Sequence, residues 1–174
     1  MTARAAIVTV SDRASRGEYE DKGGPACEAW LRGVVTSPLA VSREIIPDGR
    51  ESVATCLRRL VAEGADLILV TGGTGPAPRD ETPEGAALVI EKELAGFGEE
   101  MRRASLREVP TAILSRQTAG IAGHSLIITL PGKPAAIATC LGAVFAAVPY
   151  CLDLIGAARI ETDPAQITAF RPKA

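Results

Sequence analysis

Aromatic side chains are scarce in this sequence: three Phe, two Tyr and one Trp, 3% of the chain. That leaves little material for the stacking platforms on which single-stranded nucleic acids lie. Histidine is scarcer still. His124 stands alone, and the four cysteines, Cys27, Cys56, Cys140 and Cys151, form no CxxC pair. A thiolate–imidazole metal cluster is therefore not expected, and the cysteines read as small buried hydrophobes. An excess of one charge is also missing, since 19 basic residues face 21 acidic ones for a formal net charge of -2. This balance removes capture of nucleic acid or an anionic membrane by a global field as the default, so an anionic ligand must be held by a few local groups. Met1 to Val10 lacks the basic start, long apolar core and cleavage site of a signal peptide, and the expected compartment is the reducing cytoplasm.

What is present fits one α/β domain spanning residues 1–174, with 47% hydrophobic and 23% charged residues. Ala5 to Val10, Asp66 to Thr71 and Ser125 to Leu130 read as apolar strands, and Leu39 to Ile46 reads as a further strand closed by Pro47-Asp48-Gly49. Pro25 to Val35 reads as a helix, and Val53, Cys56, Leu57, Leu60 and Val61 give the stripe of an amphipathic one. Thr82-Pro83 offers a helix start, with Thr as the cap and Pro in the first helical position. Pro134 to Leu152 carries no charge and is nearly long enough to span a bilayer. Its alanine-rich composition and Pro149 instead suggest a helix packed on several sides, with one face available to a second subunit. Strands apolar on both faces, separated by helices, predict a three-layer α/β/α fold with a mostly parallel central sheet.

In such sheets ligands bind beyond the carboxyl ends of the strands. Four clusters follow predicted strands there: Ser11-Asp12, Pro47-Asp48, Gly72-Gly73-Thr74-Gly75 and Pro131-Gly132-Lys133-Pro134. The glycine loop allows close backbone approach to a phosphate but matches neither the Walker A nor the GxGxxG pattern. The Pro-Gly-Lys-Pro turn opens a helix, whose free N–H groups and lysine suit an anion. Asp48 and Asp80, on separate loops flanking the glycines, suggest a Mg²⁺ ion shared with substrate phosphates. Each also has a plain structural reading: Asp48 as a turn residue, Asp80 as a partner for Arg79 or a cap near Thr82, and Asp12 as a loop cap. No G-x-S-x-G context exists and no thiol pairs with His124, so acyl transfer is disfavoured. The residues by themselves point to a metal-assisted, phosphate-handling site.

The blocks TVSDRASRGEYEDKGGPA (Thr9 to Ala26), IIPDG (Ile45 to Gly49), TGGTGPAPRDETPE (Thr71 to Glu84), FGEEMR (Phe97 to Arg102), AILSRQTAG (Ala112 to Gly120) and LPGKPAA (Leu130 to Ala136) carry a family likeness. Together they resemble the molybdopterin adenylyltransferase family of molybdenum-cofactor biosynthesis, in its stand-alone bacterial form. The resemblance implies the molybdopterin-binding fold, a homotrimer, and transfer of AMP from ATP to the terminal phosphate of molybdopterin with release of pyrophosphate. It implies that the family's functional aspartates fall on Asp48 and Asp80, and that the glycine loop, Ser115 and Pro131 to Pro134 line the nucleotide and pterin pocket. A downstream molybdate-inserting protein is the implied partner. The alternative is a non-catalytic molybdopterin-binding module, which would keep the pocket without the reaction. The region between Leu130 and Val148 is shorter here than in some members, where extra residues rim the pocket.

Overall fold

The computed structural model describes residues 1–173. Its strands are β1 (Ala3–Val10), β2 (Leu39–Ile46), β3 (Leu67–Thr71), β4 (Lys92–Glu93), β5 (Ala119–Ala122) and β6 (Ser125–Leu130). The helices are α1 (Asp12–Ser15), α2 (Gly23–Val34), α3 (Arg50–Ala62), α4 (Thr82–Ala87), α5 (Ala95–Leu106), α6 (Pro134–Val144) and α7 (Val148–Leu154). One sheet of six strands runs in the order β2-β1-β3-β6-β5-β4. The first four strands are parallel, and β5 joins β6 antiparallel, as does β4 with β5.

The two-residue period of the strands divides the apolar side chains between two cores. Ala5, Ile7, Leu67, Leu69, Leu126 and Ile128 face one side, where they meet Leu31 of α2, Met101 of α5, Ile137 and Leu141 of α6, and Leu152 of α7. Ala6, Val8, Ile68, Val70 and Ile127 face the other, against Val53, Leu57 and Leu60 of α3 and Ala86 of α4. The expected three layers are present, and this double burial is why the central strands read as unbroken apolar runs.

Two sequence expectations change. Pro134 to Leu152 is not one helix: a 3-10 turn at Phe145–Ala147 separates α6 from α7, with Pro149 in the first turn of α7 where a missing N–H costs nothing. Its apolar character follows from core packing, with Ile137, Leu141, Phe145, Val148 and Leu152 fully buried. Phe145 also takes the Trp30 ring edge-on at 4.8 Å. The outward face of α6 is left to Ala135, Ala138 and Gly142. Thr82, expected as a cap, lies inside α4, and Glu81 occupies the cap position. The Thr82 hydroxyl is used elsewhere, as described below.

The chain passes from β1 through α2 to β2 on one side, then returns through α3 to β3 on the other side of β1. This reversal of strand order opens a crevice at the carboxyl ends of β1 and β3.

Candidate active site

The loops beyond β1 and β2 are joined by two aspartates. The Asp12 amide donates to Asp48 Oδ2 at 2.9 Å, and the Asp48 amide returns a bond to Asp12 Oδ1 at 3.0 Å. This reciprocal bracing fixes both carboxylates at the sheet edge and makes Asp12, not Asp80, the direct partner of Asp48. Ser11 has a local task as well: its hydroxyl accepts from the Ala14 amide at 3.2 Å and caps α1.

The glycine loop is shaped by what binds its carbonyls. The Gly72 carbonyl accepts from the Thr82 hydroxyl at 2.8 Å, the Gly73 carbonyl from the Thr82 amide at 3.0 Å, and the Thr74 carbonyl from the Arg116 amide at 2.8 Å. A trans peptide points its N–H away from its C=O. Three consecutive carbonyls drawn to one side therefore turn the N–H groups of Gly73, Thr74 and Gly75 to the other. Among the described residues none of these three donates a hydrogen bond. Successive free amides of this kind form an anion nest. The geometry requires glycine at two positions, since Gly72 and Gly73 have φ of 98° and 65°. A Cβ on Gly72 would also lie 2.5 Å from the Val10 carbonyl oxygen, and one on Gly73 2.3 Å from Thr82 Oγ1.

Asp80 sits beside the same loop. Its Oδ2 accepts from the Ala77 amide at 3.2 Å and would touch any Cβ at Gly75, while Asp48 Oδ1 faces Gly73. The two aspartates thus flank the nest. Asp12 Oδ2, Asp48 Oδ1 and Asp80 Oδ1 accept no hydrogen bond among the described residues. No cluster of three or more metal-ligating side chains is gathered among those residues. One or two carboxylates with free hard oxygens fit Mg²⁺, which takes its remaining ligands from water and substrate phosphates.

Two cavities meet at the Pro131-Gly132-Lys133 turn. One, of about 170 Å³, is lined by Ser11, Tyr19, Asp21, Lys22, Gly72 and Gly132, among others. The second, of about 360 Å³, is lined by Ser115, Gln117, Pro131, Gly132, Lys133 and Thr139 with apolar neighbours. The turn is anchored by the Thr71 hydroxyl, which donates to the Pro131 carbonyl at 2.8 Å. Ser115 lies 3.2 Å from Thr74, hydroxyl to hydroxyl, so it reaches the glycine loop and the larger cavity together. Pro134, by contrast, is exposed in the first turn of α6 and lines neither cavity.

Sequence reasoning missed three contributors. Asp21 holds the start of α2, accepting from the Gly24 amide at 3.0 Å and the Thr9 hydroxyl at 2.9 Å. Thr82 is the staple behind the nest. Arg116 reaches Gly75 and Asp80 carbonyls and pairs with Glu84, whose carboxyl it holds below the usual range. Asp21 carried a local signal, an acceptor three residues before the Gly24 amide it binds, whereas Thr82 and Arg116 act on residues ten to forty-one positions away and were marked only by their place inside the quoted blocks. His124 lies at the other end of the sheet, in the two-residue turn from β5 to β6, where its ring donates to the Ile155 carbonyl. The cysteines do not enter the site: burial pushes the Cys27 and Cys56 thiols up to about 12.

An anion nest and paired carboxylates at the switch point of an open, mostly parallel sheet define an α/β protein that handles a phosphorylated ligand. A family model described as a probable molybdopterin binding domain matches residues 6–150, and the chain belongs to that family. It is 50% identical to the molybdopterin adenylyltransferase of Helicobacter pylori (strain J99) over 173 residues, 99% of this chain and 98% of that one. It is 45% identical to the Escherichia coli (strain K12) enzyme of the same name, over 185 aligned positions covering 99% and 95% of the two chains. That alignment is longer than this chain, so the relative carries residues absent here. Among solved structures, the molybdopterin biosynthesis enzyme MoaB from Thermus thermophilus superimposes with a TM-score of 0.80 at 41% identity, covering 88% of this chain and 96% of that one.

Proposed function

We propose that this protein is a molybdopterin adenylyltransferase of molybdenum-cofactor biosynthesis, acting as a nucleotidyltransferase. It transfers AMP from ATP to the terminal phosphate of molybdopterin and releases pyrophosphate. The observation that carries this reading is the row of free amides at Gly73, Thr74 and Gly75, flanked by Asp48 and Asp80 at the sheet's switch point. The near full-length identity to enzymes named for this reaction supports the choice of substrates.

The acceptor is a phosphate monoester, anionic near neutral pH, so the reaction needs no side-chain nucleophile. A phosphate oxygen attacks the α-phosphorus of ATP. The new O–P bond forms as the bond from that phosphorus to the β-bridging oxygen breaks, and pyrophosphate leaves with the electron pair. Alignment and charge neutralisation are what the protein must supply. The nest amides receive the triphosphate, and Lys133 with the start of α6 offsets further negative charge. Ser11, Asp12, Ser115 and the Pro131-Gly132-Lys133 turn position the two substrates around the shared Gly132. Asp48 and Asp80 would hold Mg²⁺, which neutralises phosphate charge when bound. In this reading residues 1–174 act as one cytoplasmic domain within a homotrimer, and the adenylylated product passes to a molybdate-inserting protein.

The test is incubation with molybdopterin, ATP and Mg²⁺, following pyrophosphate and adenylylated pterin together. Both should appear in equal amounts. Asp48→Asn should lower turnover by about 100-fold or more and alter its Mg²⁺ dependence. Pterin binding without either product would leave a non-catalytic binding module and sink the proposal.

A further inference from the structure

Arg116 is spent entirely on the back of the nucleotide loop. Its main-chain amide takes the Thr74 carbonyl at 2.8 Å. Its guanidinium donates twice to the Gly75 carbonyl, at 3.1 and 2.9 Å, and once to the Asp80 carbonyl at 2.5 Å. The remaining nitrogen pairs with Glu84 in the first turn of α4. One side chain thereby ties the nest, the backbone of Asp80 and the helix carrying Thr82 into a single unit. Neutral packing could not do this, because the carbonyls of Gly75 and Asp80 converge on a planar fork of donors. The Arg116 charge is matched by Glu84, so it adds little net field to the site. Its contribution is geometric.

We propose that Arg116 is a positioning residue for adenylyl transfer, with Glu84 orienting its guanidinium so that the nest amides and Asp80 are held in the productive arrangement. It touches neither substrate. The inference rests on the proposed reaction for its kinetic readout. It predicts that loss of Arg116 affects triphosphate binding and the chemical step but leaves molybdopterin binding nearly unchanged.

The experiment compares wild type, Arg116→Ala and Arg116→Lys, measuring kcat, KM for each substrate, melting temperature, and ATP affinity by calorimetry. Arg116→Ala should lower kcat by about 100-fold and raise KM for ATP, with KM for molybdopterin within about twofold of wild type. Arg116→Lys keeps one donor head and should recover about tenfold of that loss. Wild-type kcat in Arg116→Ala would overturn the proposal, as would equal increases in both KM values with no recovery by lysine. Should Arg116→Ala fail to fold, Arg116→Lys decides alone: kcat about tenfold low with KM for molybdopterin unchanged supports the role, and wild-type kinetics overturn it. A wild-type protein that releases no pyrophosphate would instead defeat the adenylyltransferase reading. The positioning role is then judged by ATP affinity, supported if Arg116→Lys weakens it about tenfold and overturned if it does not.

Discussion

Gly73 and Gly33 carry the same side chain in different circumstances. Gly73 has φ of 65° and no room for a methyl group, because Thr82 Oγ1 would lie 2.3 Å from it. Gly33, exposed in the last turn of α2, has open space around it. Gly73→Ala should cost about 1–3 kcal/mol in urea unfolding and suppress pyrophosphate release, because the strain falls on the nest itself. Gly33→Ala should stabilise by about 0.4–1 kcal/mol and leave turnover unchanged. Equal effects of the two substitutions would contradict the conformation assigned to the loop.

Among the elements, α4 is short yet central to the site, since Thr82 in its first turn binds both Gly72 and Gly73 carbonyls. Thr82→Val preserves shape while deserting the Gly72 carbonyl, and should destabilise by about 1–3 kcal/mol in denaturant titration. Thr82→Ser keeps the hydroxyl, so it should retain turnover that valine loses. Here sequence reading went astray for a definable reason. Thr-Pro is a strong helix-start signal by local preference, but the part-buried Gly72 carbonyl ten residues earlier competes for the hydroxyl and moves the cap to Glu81.

For the molecule as a whole, the two cores set a pH limit. Cys27 and Cys56 lie one in each core, and desolvation keeps both thiols protonated to about 12. In the unfolded chain they ionise near about 8.5. Stability from these groups is therefore full below that pH and declines as pH rises toward 12. Urea midpoints at pH 8 and 9.5 should show this fall, and a Cys27→Ala/Cys56→Ala variant should show a smaller one. An identical fall in that variant would place the alkaline sensitivity elsewhere.

The sequence determined the layering, because strand and helix periods are local patterns: Ser125–Leu130 stands where its apolar run puts it, and Leu39–Ile46 ends at the Pro47-Asp48-Gly49 turn that closes it. It also marked Asp48, Asp80 and the glycine loop, since turn chemistry and glycine content are written in consecutive residues. Tertiary structure alone decided that Asp12 braces Asp48, that Thr82 and Arg116 draw the loop carbonyls backward, and that Ser115 reaches Thr74. Each of these contacts joins residues ten to forty-one positions apart. Such pairs meet only after the sheet has assembled, and no local periodicity encodes them.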